Sequence, residues 1–178
     1  MGPLNARQPS PTDTLSYLLP NFKDSMPISN GDTAPDFSAP SDQGTVTLSA
    51  LRGQKVVLYF YPRDNTPGCT TQACAFRDLK AEFHAAGAVI YGVSSDSIKK
   101  HENFVAKKEL NFPLISDPEH AVHDLYGTWV EKKNYGKVYM GTQRSTFLID
   151  ADGVVQKTWP KVKVKGHVDE VLEATKAL

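Results

Sequence analysis

The sequence has few cysteines, no excess of one charge and no long apolar run, and each of these features excludes a class of protein. Two cysteines in 178 residues are too few for the disulfide framework of a small secreted domain. Twenty basic and twenty acidic side chains cancel, so no general attraction to nucleic acid or anionic membranes is expected. The longest apolar run, residues 56–61, is far shorter than the about 20 residues of a membrane helix. We therefore expect a cytoplasmic protein that binds neither nucleic acid nor membrane.

The first 30 residues differ in composition from the rest of the chain. They are rich in proline, with scattered serine and asparagine, and they lack the apolar segment of about 7–15 residues that a secretory signal needs. One arginine and two acidic residues also make them a poor transit peptide. We expect a flexible leader over residues 1–30 and a single domain over residues 31–178.

From about residue 33 onward, strand-like segments alternate with helix-like ones. Residues 56–61 form the continuous apolar run of a central strand that is covered on both faces. Residues 70–86 follow as a helix, and Gly87 ends it. The later segments are a strand over 88–93, a helix that Ser97 caps and that runs to Leu110, a short extended piece at 114–115, a hairpin around Asp152 and Gly153, and a helix over 166–178. This order predicts a three-layer α/β domain with a mixed central sheet flanked by helices.

Three segments give weaker signals. Asp117 and Pro118 indicate the N-cap and first residue of a short helix that Gly127 closes. This helix has no recognised metal-ligand spacing, so we interpret its acidic and histidine residues as a solvated surface: Asp117, Glu119, His120, His123 and Asp124. Residues 128–143 are rich in Lys, Tyr and Gly and have no clear period. In residues 161–165, lysine alternates with valine, which predicts the solvated face of an extended segment.

The most informative segment joins the strand over 56–61 to the helix over 70–86. In open α/β sheets, functional sites form at this carboxyl end of the strands. The segment contains the pattern Pro-x-x-x-Thr-x-x-Cys at Pro62, Thr66 and Cys69, and it continues as Thr-Pro-Gly-Cys-Thr-x-x-x-Cys to Cys74. These motifs resemble the peroxiredoxins, in the branch of bacterioferritin comigratory protein or peroxiredoxin Q. Residues 33–37, 144–150 and 161–167 also look like family segments in the family order, so the resemblance covers roughly residues 30–178.

The resemblance implies a fold, an activity and a set of site residues. It implies a thioredoxin-like fold and a thiol peroxidase in which Cys69 is peroxidatic and Cys74 resolves its sulfenic acid. Pro62, Thr66 and Arg144 would complete the site, without a cofactor or a metal. Hydrogen peroxide and organic hydroperoxides would be the substrates, a thioredoxin- or glutaredoxin-type protein the reductant, and the enzyme a monomer.

The chemistry of these residues agrees with such roles. A thiolate attacks a peroxide, and Cys69 lies at or within the first helical turn, where free N–H groups favour negative charge. Ionisation alone explains little: lowering a thiol pKa from about 8.5 to about 6 raises the thiolate fraction about 30-fold at pH 7 but costs about 13-fold in nucleophilicity. We therefore expect Arg144, the Thr66 hydroxyl and the Cys69 N–H to hold both oxygens in line. Pro62, which has no N–H, would shield the sulfur from water.

The second cysteine cannot bond to the first within an intact helix. Five residues of α-helix rise about 7.5 Å and turn about 140°, which gives a Cα separation of roughly 8–9 Å. A disulfide needs Cα atoms within about 7 Å. If Cys74 resolves Cys69, the start of the helix must therefore unwind in each cycle. Alternatively, Cys74 is a small apolar residue on the flank of the helix.

Several further residues carry two interpretations each. Tyr61 could line the pocket or pack in the core, and Gln72, on the same helix face as Cys69, could orient Arg144. Four side chains could form an apolar rim that admits alkyl hydroperoxides or could simply cover the sheet: Trp129, Tyr135, Tyr139 and Met140. No histidine forms a recognisable dyad with either cysteine by sequence, including His84, His101 and His167.

Three other functions compete with the peroxidase hypothesis. A thioredoxin-like dithiol–disulfide oxidoreductase would have Cys-x-x-Cys, whereas four residues separate the cysteines here. A metal-binding module would need more thiolates or clustered histidines. A non-enzymatic interaction domain remains an alternative if Arg144 does not reach Cys69.

Overall fold

The computed structural model describes residues 27–178, so the predicted leader lies almost wholly outside the described residues. The strands are β1 Ser38–Ser41, β2 Gly44–Thr47, β3 Lys55–Phe60, β4 Ala88–Ser94, β5 Leu114–Ser116, β6 Trp129–Asn134, β7 Lys137–Thr142, β8 Ser145–Ile149 and β9 Val155–Trp159. The helices are α1 Pro67–Ala85, α2 Ile98–Lys108, α3 Ala121–Tyr126 and α4 His167–Lys176, with a 3₁₀ turn at Leu48–Leu51. The predicted order of elements is confirmed, with additional short strands.

Seven strands form one mixed sheet, in the order β2-β1-β5-β4-β3-β8-β9. β3 lies in the interior of the sheet, where it runs parallel to β4 and antiparallel to β8. Five of its six residues are buried, which explains its continuous apolar sequence. The register places Phe60, at the end of β3, opposite Ser145, at the start of β8. The residues that follow β3 therefore lie beside the residue that precedes β8, which is Arg144.

Alternate residues of β3 contribute to two separate cores. Val57 and Tyr59 face a core with Phe76 and Phe83 of α1 and with Val171 of α4. The other face joins the buried side chains of β1, β2 and α3; on β3 it consists of Val56, Leu58 and Phe60. Helices thus cover both faces of the sheet, which confirms the three-layer prediction.

The start of α3 differs from the prediction. His120 adopts a left-handed conformation with φ 63°, which separates Pro118 from the helix, so α3 begins at Ala121. Asp117 is not the N-cap, but its carboxylate accepts the N–H groups of Val122 at 3.2 Å and His123 at 2.9 Å. His123 is fully buried, and its Nδ1 lies 2.6 Å from Asp117 Oδ2. The interpretation of this segment as a solvated surface is therefore wrong for Asp117 and His123.

Residues 128–143 contain a β-hairpin that the sequence did not reveal. β6 and β7 pair with each other outside the main sheet, from Trp129 opposite Thr142 to Asn134 opposite Lys137. Tyr135 and Gly136 form the turn, both with positive φ. Most side chains of the hairpin are exposed on both faces, so the apolar alternation of a half-buried strand is missing.

Candidate active site

The loop after β3 delivers Cys69 to the start of α1. Thr66 is the N-cap, and Pro67 occupies the first helical position, where a missing N–H costs nothing. The first helical hydrogen bond runs from the Thr70 N–H to the Thr66 carbonyl at 2.8 Å. The N–H of Cys69, the third helical residue, precedes this bond and has no intrahelical acceptor. Negative charge on the sulfur is favoured at this position.

Arg144 joins the site from the strand beside β3. Its Nη2 donates to Cys69 Sγ at 3.2 Å, and its Nη1 donates to Gln72 Oε1 at 2.6 Å. Its backbone carbonyl accepts the Val162 N–H at 2.9 Å. Cys69 is only 2% exposed and Gln72 is fully buried. The guanidinium is therefore held against the sulfur by contacts at both ends of the residue.

The Thr66 hydroxyl forms a hydrogen bond within the loop that carries it. Its hydrogen is donated to the Arg63 carbonyl at 3.0 Å. A threonine hydroxyl has one hydrogen and two lone pairs, so Thr66 is left with acceptor capacity. With its hydrogen on the Arg63 carbonyl, the Thr66 hydroxyl can accept a hydrogen from a peroxide.

A pocket of about 320 Å³ adjoins the loop and the hairpin. Pro62, Arg63 and Thr66 line one side of it. Across the pocket lie residues of β6 and β7, among them Trp129, Lys132, Tyr139 and Met140. Tyr135, the fourth residue of the predicted apolar rim, is 99% exposed at the hairpin turn and is not among the lining residues. Burial lowers the pKa of Lys132, and the nearby Arg144 lowers it further while Cys69 opposes the shift.

Two buried polar side chains on the helix α1 side of the sheet, Tyr59 and Gln72, each have an atom without a hydrogen-bond partner among the described residues. These atoms are the Tyr59 hydroxyl and Gln72 Nε2. The Tyr59 ring stacks on Phe76 at 4.6 Å, and Gly92 allows its close approach, since a Cβ there would lie 2.9 Å from the hydroxyl. Burial raises the pKa of Tyr59 well above its ordinary value, and Cys69 raises it further. Tyr59 therefore keeps its proton.

Cys74 lies in the same continuous helix as Cys69. It is half-buried, and both cysteines are free thiols. The helix spans both positions without interruption, so the geometric obstacle to a Cys69–Cys74 disulfide is present in this structure.

Sequence reasoning missed a buried cluster behind the loop. Tyr61 is 1% exposed, and its hydroxyl donates to Asp64 Oδ1 at 2.6 Å, so it packs in the core. Asp64 Oδ2 lies 2.6 Å from His101 Nδ1, and the Asp64 N–H donates to Asp96 Oδ2 at 2.8 Å. The available signal was the position of Asp64 inside the motif, between Pro62 and Thr66.

A thiol at a helix N-terminus that is held by an arginine defines a thiol-based redox enzyme, and the comparisons with known proteins agree. The sequence model of the AhpC/TSA family matches residues 30–158, and the chain belongs to this family. It is 52% identical to the Bacillus subtilis peroxiredoxin Bcp over 152 residues, which cover 85% of this chain and 97% of that protein.

Two solved structures show which branch of this family the chain resembles. Xanthomonas campestris peroxiredoxin Q superposes with a TM-score of 0.78 at 46% identity, covering 84% of this chain and 96% of that one. The bacterioferritin comigratory protein of the same organism, described for its alkyl peroxide reduction activity, gives 0.78 at 44%, covering 86% and 98%. The predicted thioredoxin-like fold is confirmed. The chain is a peroxiredoxin of the Bcp or peroxiredoxin Q kind, and thus a thiol peroxidase.

Within residues 27–178, no helix is long and apolar enough to cross a membrane. The family assignment also decides between the competing functions, since a peroxiredoxin is neither a metal-binding module nor a general dithiol oxidoreductase.

Proposed function

We propose that Cys69 reduces hydrogen peroxide and organic hydroperoxides, that Cys74 resolves the product, and that a thioredoxin- or glutaredoxin-type dithiol recycles the enzyme. One observation carries this proposal: Arg144 Nη2 lies 3.2 Å from Cys69 Sγ while Gln72 holds its Nη1 at 2.6 Å. A permanent cation is thus fixed beside a sulfur at the start of a helix.

In the first step, the Cys69 thiolate attacks the peroxide oxygen that carries the hydrogen. The S–O bond forms as the O–O bond breaks, the departing oxygen takes the electron pair, and a proton from solvent converts it to an alcohol or to water. Cys69 becomes a sulfenic acid that keeps the hydrogen of the peroxide. Arg144 and the Cys69 N–H would stabilise the growing negative charge, and Thr66 would accept the peroxide O–H. Pro62 lines the pocket beside them and contributes no donor.

In the second step, the Cys74 thiolate attacks the sulfenic sulfur of Cys69. The S–S bond forms, hydroxide leaves and takes up a proton, and water is released. The start of α1 must unwind first, because the two residues lie in one continuous helix. A protein dithiol then reduces the disulfide and becomes oxidised itself. Since all of these groups come from one chain, we propose a monomer that works in a reducing compartment such as the cytoplasm, with residues 31–178 as the catalytic unit.

The pocket beside Thr66 supports alkyl hydroperoxides as substrates. Trp129, Tyr139 and Met140 offer an apolar wall across the pocket from Pro62 and Thr66. The alkyl peroxide activity of the related Xanthomonas protein points to the same class. We expect tert-butyl and fatty-acid hydroperoxides to react with a wild-type rate constant at least comparable to that of hydrogen peroxide.

A stopped-flow experiment with stoichiometric hydrogen peroxide tests the proposal. Wild type and Cys74→Ser should each consume one equivalent within seconds, and Cys69→Ser should consume none. With a thioredoxin system present, wild type should turn over repeatedly, whereas Cys74→Ser should stop after one cycle. Rapid consumption by Cys69→Ser would refute the role of Cys69, and sustained turnover by Cys74→Ser would refute the resolving role of Cys74.

A further inference from the structure

We infer that Asp96, Asp64 and His101 are positioning residues for peroxide reduction, because they fix the peptide group that aims the Thr66 hydroxyl. We name these three residues the loop anchor. The inference rests on the proposed roles of Cys69 and Thr66. It adds three residues that do not touch the sulfur: Asp64, at a variable position of the motif, and Asp96 and His101, outside it.

The loop anchor holds the peptide group between Arg63 and Asp64. The Asp64 N–H donates to Asp96 Oδ2 at 2.8 Å, and the Ser94 hydroxyl donates to the same oxygen at 2.7 Å. The backbone carbonyl of Asp96 accepts the Ser116 hydroxyl at 2.5 Å. Asp96 is only 7% exposed. The acceptor of the Asp64 N–H is therefore itself held by β4 and by the end of β5.

The same peptide group determines where the Thr66 hydrogen points. The Asp64 N–H and the Arg63 carbonyl belong to one planar trans peptide, so they point in opposite directions. With the N–H bound to Asp96, the carbonyl is turned away from Asp96, and there it accepts the Thr66 hydroxyl at 3.0 Å. Fixing the N–H thus fixes the Thr66 hydrogen and leaves the Thr66 lone pairs free for the peroxide.

His101 and Tyr61 hold the side chain of Asp64. His101 Nε2 lies 3.0 Å from the Ile115 carbonyl oxygen, which can only accept, so Nε2 carries a hydrogen. His101 Nδ1 lies 2.6 Å from Asp64 Oδ2, and one proton is shared in that contact. The Tyr61 hydroxyl occupies Asp64 Oδ1 at 2.6 Å. Backbone and side chain of Asp64 are therefore both fixed, two residues before Thr66.

The anchor is better explained as a positioning device than as a cation site. Its ligand-type atoms lie within 4.8 Å of one another, which would suit a metal ion. Asp64 Oδ1, Asp64 Oδ2 and Asp96 Oδ2 each already have a hydrogen-bond partner in the described structure. Both ring nitrogens of His101 are also occupied, by Asp64 Oδ2 and by the Ile115 carbonyl. A cation could take His101 as a ligand only by breaking a bond that holds the loop.

A double-mutant cycle tests the inference, with Cys74→Ser as the background so that only the first chemical step is measured. We expect Asp96→Ala to lower the second-order rate constant for hydrogen peroxide about tenfold or more when Thr66 is present. In Thr66→Val, where no hydroxyl remains to be aimed, the same change should lower it less than about twofold. Asp96→Asn keeps an oxygen acceptor and should restore most of the rate.

Asp150→Ala is the matched control. This carboxylate accepts the N–H groups of Asp152 at 2.9 Å and Val154 at 3.0 Å, beyond the far end of β8, and we expect no change in rate. If Asp96→Ala does not fold, Asp96→Glu replaces it, because it keeps the charge but displaces the oxygen, and the same coupling is expected.

Equal rate losses with and without the Thr66 hydroxyl, or no loss in either case, would overturn the positioning role while leaving the proposed function intact. Failure of the Cys74→Ser background to react with peroxide at all would overturn the proposed function itself.

Discussion

The two parts of α1 are held in different ways. At its start, residues 67–74, Cys69 and Gln72 are both buried and both contacted by the Arg144 guanidinium, while Cys74 is only half-buried. Further along the same helix, Phe76 and Phe83 are fully buried against the sheet. The first part therefore combines the core packing of Cys69 and Ala73 with polar contacts to Arg144, whereas the second part is held by large apolar side chains.

This difference indicates how the start of α1 can unwind during the catalytic cycle while the rest of the helix stays folded. Apolar burial is non-directional and does not depend on the oxidation state of a sulfur. The Arg144 contact does depend on it, since the hydrogen bond is strongest to a charged acceptor. Oxidation of Cys69 should therefore weaken the start of the helix and leave the rest in place, so that Cys74 can approach without global unfolding.

Among the changes that distinguish the two parts of α1, the largest effect is expected at the N-cap, where a group that contacts the peroxide is lost. Thr66→Val removes the acceptor for the peroxide O–H, and we expect the second-order rate constant to fall about 100-fold. Thr66→Ser keeps the hydroxyl and should lose far less. Stopped-flow measurements on both variants check this. A rate for Thr66→Val close to wild type would show that the hydroxyl has no part in the reaction.

Amide hydrogen exchange should separate the two parts of α1 directly. When Cys69 and Cys74 form a disulfide, exchange over residues 70–76 should rise at least about tenfold, because that segment must unwind, while residues 77–85 stay protected. Reduced protein is the control. A uniform rise in exchange along the whole of α1, or no rise at all, would contradict the claim that its two parts are held differently.

Phe83→Ala should give the opposite outcome. The change leaves a cavity in the core and should lower the free energy of unfolding by about 3–5 kcal/mol. The rate of Cys69 oxidation should stay within about twofold of wild type. Glu82→Ala, at the exposed neighbouring position, should change neither. Denaturant unfolding and stopped-flow measurements on the same samples compare the two variants. A large loss of rate in Phe83→Ala would show that the second part of α1 also controls the reactivity of Cys69.

The smallest effect concerns pH. Burial lowers the pKa of His167 from 6.5 to about 4, with Arg144 lowering it further and Glu170 opposing the shift, and His167 Nε2 lies 2.8 Å from Thr146 Oγ1. The unfolded chain takes up a proton as pH falls below about 6.5, whereas the folded chain does so only near 4. The contribution of His167 to the free energy of unfolding is therefore full above pH 6.5 and is lost between pH 6.5 and 4; it amounts to at most about 3 kcal/mol.

The variant His167→Gln should flatten that part of the pH profile of the unfolding free energy, and His84→Gln, at an exposed position of α1, should not. If the unfolding free energy of His167→Gln falls between pH 6.5 and 4 as steeply as that of wild type, His167 is not the cause of that fall.

Sequence patterns predicted the parts of the fold whose side chains face one consistent environment. The apolar run of β3 and the Phe76 and Phe83 face of α1 are such cases, as is the Asp152–Gly153 turn. The β6–β7 hairpin escaped prediction because its side chains are exposed on both faces and show no apolar alternation.

The loop anchor escaped prediction for a different reason. In the sequence, Asp64 is 32 residues from Asp96 and 37 residues from His101. The parallel pairing of β3 with β4 brings them together. No local pattern marks such pairs. The Asp117–His123 pair is close in sequence, but its burial depends on the β6–β7 hairpin, where Thr142 Oγ1 lies 2.9 Å from His123 Nε2. That burial was missed because the hairpin was not predicted from the sequence.

One comparison of rates tests the central claim most directly, namely that geometry at Cys69 rather than acidity produces the reactivity. In the Cys74→Ser background, the second-order rate constant for hydrogen peroxide is measured with and without Arg144→Met. Each value is divided by the thiolate fraction obtained from ultraviolet titration. We predict that the normalised rate falls about 100- to 1,000-fold, because the fixed donor to the breaking O–O bond is lost. A normalised rate that does not change would contradict the account.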